Sequence, residues 1–474
     1  MSLIRAVNSY NTIIAGTIPD LNTHLTDPVS LADFTSEILT SERRTEVLAG
    51  SALGMEKVLG SEIARNSIFT YATTGNQVAA KNIANSITGL PATASSVEGI
   101  NAAFSNEVSK VAVTSSQYYG DSIALILANL SGLDVAVYPT TASIINDAAP
   151  FGDVVGSTHG MSALLADAGS VGLLVTGTVP MQLVVADTNS ITALANSKYM
   201  PEVAAASESI TVITASSLAT GIVSSVPDAV KSIANFGPAW DVFRAGANFS
   251  ANVKQILVNI IGLNVSNFAS INDVVDSADA IALISSNLQA TQALLSDSGA
   301  VTHLKASANL GAMLNSSVSM GVIASDEAFM GDLISNAAAF PLLLNSTLAK
   351  STIFGNASLF ATMMSDAGAF ATLDGMKQSF AGPTNNKVFA NFQPFGLSGN
   401  VIILSGSLGS IVATTLANKF KGDTQAEVTV NVPGVSVASS YPAINAPFTN
   451  PQWTINSISA LAAAKITVTY VDFN

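Results

Sequence analysis

From Thr45 to Gly375 the chain advances in steps of ten residues, and no other feature restricts its fold as strongly. Seven consecutive blocks, VTHLKASANL, GAMLNSSVSM, GVIASDEAFM, GDLISNAAAF, PLLLNSTLAK, STIFGNASLF and ATMMSDAGAF, run from Val301 to Phe370. Their third and fourth columns are mostly large and apolar (Met313-Leu314, Leu333-Ile334, Leu343-Leu344, Ile353-Phe354). The tenth column adds Leu310, Met320, Met330, Phe340, Phe360 and Phe370, with Lys350 as the exception. Columns ten, three and four stand at i, i+3 and i+4, which is one face of an α-helix. The fifth and sixth columns hold Asn315-Ser316, Ser325-Asp326, Asn345-Ser346 and Ser365-Asp366. Such side chains accept a backbone N–H that lacks a partner inside the helix, and so mark helix starts.

The period excludes one continuous helix. At about 100° per residue, ten residues leave the apolar stripe about 80° out of line with the next block, whereas coiled coils keep register with periods of seven or eleven. The spacing therefore predicts capped helices of about two turns, one per decad. Helices so short do not persist alone because nucleation is costly, so neighbours must hold them, as in a solenoid. The expected fold class is a mainly α, solenoid-like repeat array over residues 45–375, followed by a mainly β domain over residues 382–474.

Upstream the period continues through VGLLVTGTVP, MQLVVADTNS and KSIANFGPAW, and Val58, Ile68 and Val78 are ten apart. Blocks before Ser250 also contain Pro180, Pro201 and Pro227 and many β-branched residues, which suit strands as well as helices. For that half, a helical array and a β-solenoid are both open.

The two ends differ from the array. Residues 1–44 carry an Asp27-Pro28 turn and the charge-dense SERR of Ser41 to Arg44, and read either as an attachment segment or as an atypical capping repeat. From Gly382 onward β signals take over: VIILSG from Val401, EVTVNV from Glu427 meeting VSV from Val435 across Pro433-Gly434, and the alternating Ile466, Val468 and Tyr470. Among these strands lie Tyr441, Asn445, Phe448, Asn450 and Trp453, the candidate partner-contact residues. Their aromatic faces and amides suit stacking on, and hydrogen bonding to, a sugar or a protein; the alternative is a loop whose aromatics plug its own domain.

Composition narrows the function classes. The net charge is -14, from 32 acidic against 18 basic residues, and no basic stripe is present to neutralise phosphates, which speaks against nucleic-acid binding. Mean hydropathy is high at +0.45, yet the most apolar stretch, Gly169 to Thr188, is interrupted by Thr176, Thr178 and Pro180, and reads as packed interior rather than a membrane span. The first residues lack the uninterrupted apolar core of a secretory leader, so Sec-type export is not expected. With no cysteine, there is no disulfide and no thiolate metal site.

No catalytic constellation emerges. His24, His159 and His303 are far apart, and His303, in an apolar column, reads as core. Asp276 and Asp279 are the kind of carboxylate pair that glycoside hydrolysis uses, but most Asp residues stand at cap positions. Gly406 and Gly409 resemble a phosphate-binding turn without the lysine of a P-loop or the third glycine of a dinucleotide fingerprint. No cofactor or metal is expected. The Asn-x-Ser/Thr triplets at Asn264, Asn315, Asn345 and Asn356 are assigned no function.

The run from Ser277 to Phe370, with Ala-Met or Ala-Phe followed by paired aliphatics and a Ser-Asp or Ser-Asn cap, resembles the decad arrays of tail-fibre and other virion structural proteins of tailed bacteriophages. The plan of distinct N-terminus, repetitive shaft and β-rich C-terminal domain is similar too. The resemblance implies a non-enzymatic virion appendage and a homotrimer. It would be attached through its N-terminus to other virion proteins, and its C-terminal domain would contact a host receptor or a neighbouring virion protein. Two other classes stand beside it. One is a polysaccharide-degrading tailspike, which needs carboxylates converging in a β-solenoid groove; the other is a cellular surface-layer protein or adhesin.

Overall fold

A computed structural model describes residues 39, 41–70, 72 and 77–375, and seven strand segments between residues 378 and 472. The described part is mainly helical and consists of many short helices packed in an array. It divides into two compact units, Met1–Val265 and Ser266–Asn474.

The decad is built from a helix of nine residues and one extended residue. Ala168–Thr176, Thr178–Ala186 and Thr188–Ala195 are separated by Gly177 (φ -104°, ψ 117°) and Asp187 (φ -105°, ψ 122°) alone. Asp187 closes one helix and opens the next: its N–H donates to the Val184 carbonyl at 3.2 Å, and its carboxylate accepts from the Ser190 N–H at 2.8 Å. One residue thus satisfies orphan groups of two helix ends. At such a corner the chain bends sharply, by 98° between Ala168–Thr176 and Thr178–Ala186.

The Val- and Thr-rich first half is helical, which excludes the β-solenoid alternative there. Its prolines sit where a helix tolerates them: Pro227 opens Pro227–Ala234, and Pro201 and Pro180 lie in the first turns of Met200–Ala205 and Thr178–Ala186. Burial of Val184, Val203, Ile210, Ile213 and Val223 outweighs the small propensity penalty of β-branching.

Within each unit most helices pack on the helix three places further on, so about three decads make one coil. In the first unit Ala148–Gly156, Thr178–Ala186, Ser207–Ala215 and Gly237–Ala245 form one such stack. Hydrogen bonds tie the coils together. Ser209 Oγ donates to the Val175 carbonyl at 2.7 Å and Asn259 Nδ2 to that of Ser224 at 2.7 Å. In the second unit Asn309 Nδ2 donates to the Val275 carbonyl at 2.9 Å and Ser346 Oγ to that of Leu314 at 2.6 Å. The acceptors lie at or near helix C-termini, where carbonyls lack intrahelical donors.

The core face is wider than the sequence columns suggest. Phe329, Met330, Leu333 and Ile334 are all buried, as are Ala339, Phe340, Leu343 and Leu344 and the pairs Ser319-Met320 and Ala349-Ile353. The ninth column therefore joins columns ten, three and four, giving an arc of about 140° on each helix. His303 corrects the reading of it as core. At the turn Ser307–Asn309 the buried set slips by one residue: Ala280, Ile281, Ile284 and Ser285 are buried before it, Ser319, Met320 and Ile323 after it. His303 consequently faces outward, its side chain 34% exposed, with Nε2 2.8 Å from Asp276 Oδ1 on the neighbouring coil.

Two described helices run beyond nine residues and match each other at a shift of 130 residues. Helices Tyr119–Ser131 and Phe249–Ile261 each run for 13 residues and end at a left-handed glycine, Gly132 (φ 71°) and Gly262 (φ 76°). The sequence GLDV follows the first and GLNV the second. Each is followed by a capping box, Thr140 with Ser143 and Ser270 with Asp273. Asn129 and Asn259, also 130 apart, both reach back to a carbonyl of the previous coil, of Ala94 and Ser224 respectively.

Beyond Gly375 the described segments are strands. β1 (Gln378–Thr384) pairs antiparallel with β7 (Ala464–Asp472), which also pairs with β2 (Asn400–Ile403), itself beside β5 (Pro447–Thr449). β3 (Val428–Val432) lies between β4 (Val435–Val437) and β6 (Gln452–Ile455), with Val432 opposite Val435.

Candidate functional site

Of the five aromatic and amide residues singled out in the C-terminal region, Tyr441, Asn445 and Asn450 lie outside the described residues. Phe448 is on β5 opposite Val401, and Trp453 is on β6 opposite Val430. The strands that carry them belong to different ladders, ordered β1-β7-β2-β5 and β4-β3-β6. The Gly406-Gly409 turn and His24 also lie outside the described residues, as do residues 1–38 of the candidate attachment segment.

Within the array the titratable groups are dispersed. His159 precedes Gly160–Leu164 and rests against Phe104, ring centroids 6.2 Å apart. Burial, and secondarily the charge of Lys110, hold its pKa below the ordinary histidine value. His303 pairs with Asp276, while Asp279 stands in the first turn of Ala278–Ser285, favourable for the helix dipole. Asp147, Asp167, Asp297 and Asp326 each accept a backbone N–H at a helix start. Asp366 does likewise; the Ala369 N–H, then Ser335 and the Gly368 N–H, hold its carboxyl below the usual range. Among the described residues no group of three or more His, Asp or Glu is placed to hold a metal ion.

The remaining polar atoms mainly serve the helices. Exposed Thr192, Thr211 and Thr302 turn their hydroxyls back onto the carbonyls of Thr188, Ser207 and Ser298, at 2.6, 2.8 and 2.8 Å. A shallow, open depression in the first unit is lined by Thr114, Ser115, Ser162, Ala193, Ser197 and Lys198; the Lys198 ammonium sits 4.9 Å from the Tyr199 ring centroid. No single described helix is long and apolar enough to cross a membrane.

The chemistry that this arrangement supports best is mechanical: capping, and stitching of coil to coil. Ser346 does both, since its hydroxyl accepts from the Ala349 N–H at 3.2 Å while donating to the Leu314 carbonyl. Asn106 divides the tasks between its two amide atoms, Oδ1 taking Val108 and Ser109 N–H groups and Nδ2 reaching the Thr70 and Ala72 carbonyls. An ionised Asp has acceptors only and cannot reach down to a carbonyl. The decad columns mark such residues as caps; their second role follows from recurrence at about three decads, 32 residues for Ser346 and 34 and 36 for Asn106. No protein-family model matches this chain, and no curated protein is found to be similar to it.

Proposed function

We propose that the chain is a non-enzymatic structural component of a bacteriophage virion, a tail fibre or related appendage. Residues 1–44 attach it to other virion proteins, residues 45–375 form the shaft, and residues 382–474 form a β-rich domain that contacts a host receptor or a neighbouring virion protein. The chain works as a homo-oligomer, a trimer being the favoured state. The observation that carries this reading is the stacking of nine-residue helices in coils of about three, a construction that adds length one repeat at a time. Side-chain polar groups there are used largely for caps and inter-coil bonds, as a spacer requires.

The experiment is electron microscopy of the purified protein, with mass spectrometry of purified particles of the phage that encodes it. A thin rod, and peptides of this chain in the particles, are expected. A compact globule, or absence from the particles, overturns the reading.

A further inference from the structure

In the first unit an ordinary helix leans on one helix of the coil before it and one of the coil after it: Thr178–Ala186 packs chiefly on Ala148–Gly156 and on Ser207–Ala215. The 13-residue helix Tyr119–Ser131 has two of each. It packs on Gly89–Ser95 and Val97–Phe104 of the coil before, and on Ala148–Gly156 and Gly160–Leu164 of the coil after. Each pair consists of successive helices, which belong to different stacks, so the long helix spans two stacks at once. The stretch from its cap position, Tyr118, to the next cap, Thr140, uses the chain of about two decads.

Side-chain bonds reach both ways from this helix. Tyr119 Oη donates to the Ala163 carbonyl of the coil after at 2.7 Å, and Asn129 Nδ2 to the Ala94 carbonyl of the coil before at 2.6 Å. From the coil after, Ser157 Oγ donates to the Leu130 carbonyl at 2.8 Å. Phe249–Ile261 likewise lies on two successive helices, Ser217–Ser225 and Pro227–Ala234, with Asn259 in the role of Asn129.

We propose that Tyr119–Ser131 is a crossbar that locks two adjoining stacks of the first unit together, so that the coils on either side of it are coupled there and open last. In an array whose repeats are held by their neighbours, opening at an ordinary helix breaks one main packing contact on each face, whereas opening at the crossbar breaks two on each. Nothing in this role depends on the chain being a virion component.

Hydrogen exchange of the full chain, read by mass spectrometry, tests the crossbar. Amides around Ile126 and Leu127 should exchange about tenfold more slowly, or slower still, than those around Val184 and Val185, which are as deeply buried in a helix of nine. Tyr119→Phe with Asn129→Ala removes the bonds to both coils and should speed exchange about threefold or more in Gly89–Ser95 and Gly160–Leu164 together, with Ser207–Ala215 unchanged. Tyr119→Phe alone, which keeps the ring in the core, serves if the pair unfolds, and it too should loosen both neighbours. Equal exchange in the two wild-type helices overturns the crossbar, as does a folded variant that loosens one neighbour alone or every coil alike.

Discussion

Thr178–Ala186 and Phe249–Ile261 belong to the same unit and bury similar aliphatics, yet one stops after nine residues and the other after thirteen. The difference lies at the corner. The shorter helix ends at Asp187, extended and bonded to the next helix, so the chain turns within one residue. In the longer one, Ile256 to Ile261 continue without a capping residue that opens a new helix, and only a left-handed Gly262 stops it. The corner residue thus sets helix length, and the ten-residue capping interval is restored between Ser277 and Asn287, which cap successive helices.

The largest effects test whether both helix types depend on one core. Ile256→Ala in the long helix and Leu343→Ala in a decad, each fully buried, should cost about 2–5 kcal/mol apiece, read from chemical denaturation; a cost below 1 kcal/mol for only one of them would mean that the two are held differently. Next come the corners. Ser346→Ala removes a cap and leaves the Leu314 carbonyl without its donor, so about 1–3 kcal/mol is expected. Ser346→Asp should not rescue it, whereas Asp187→Ser should be nearly neutral. Equal tolerance of both swaps would refute the stitching role.

Gly262→Ala places a Cβ in the left-handed region and should lose about 1–2 kcal/mol, while Gly331→Ala, inside Glu327–Ser335 with open space around it, should gain about 0.5–1 kcal/mol. Thermal melts of the two variants moving in the same direction would contradict the corner argument.

The smallest effect is on pH dependence. His159 has a folded pKa below its unfolded value of 6.5, so its contribution to stability is complete above pH 6.5 and is lost as pH falls toward the folded value. His159→Gln should flatten the stability slope between pH 7 and 5, measured by urea unfolding; an unchanged slope would remove His159 from the explanation.

The decad, its caps and its helical character are legible in the sequence because large apolar residues recur at i, i+3 and i+4 and Ser, Asp or Asn stands before many of the helices, as at Asp187, Asn287, Asp326 and Ser346. The ninth column escapes notice because Ser319, Ala339 and Ala349 are too small to signal burial by hydropathy. His303 misleads because a fixed ten-residue column cannot register the one-residue slip at Ser307–Asn309. Packing of every third helix is a long-range contact that local pattern does not encode, although Ser346 and its acceptor Leu314 carry its trace. For the candidate contact residues, the sequence pairs Phe448 with Trp453 by proximity, whereas β5 and β6 belong to separate ladders.

The coil of three decads is tested most directly by cross-linking, since the chain has no cysteine of its own. Lys305 and Asp332 are 27 residues apart, and Nζ lies 3.3 Å from Oδ2 across two coils of the second unit. With Lys305→Cys and Asp332→Cys, a short-armed bifunctional thiol reagent should join the two sites within one chain, whereas Lys305→Cys with Asn315→Cys, one decad apart, should stay open. Efficient joining of the one-decad pair, with the 27-residue pair left unlinked despite two reactive thiols, would contradict the stacking of helices by threes.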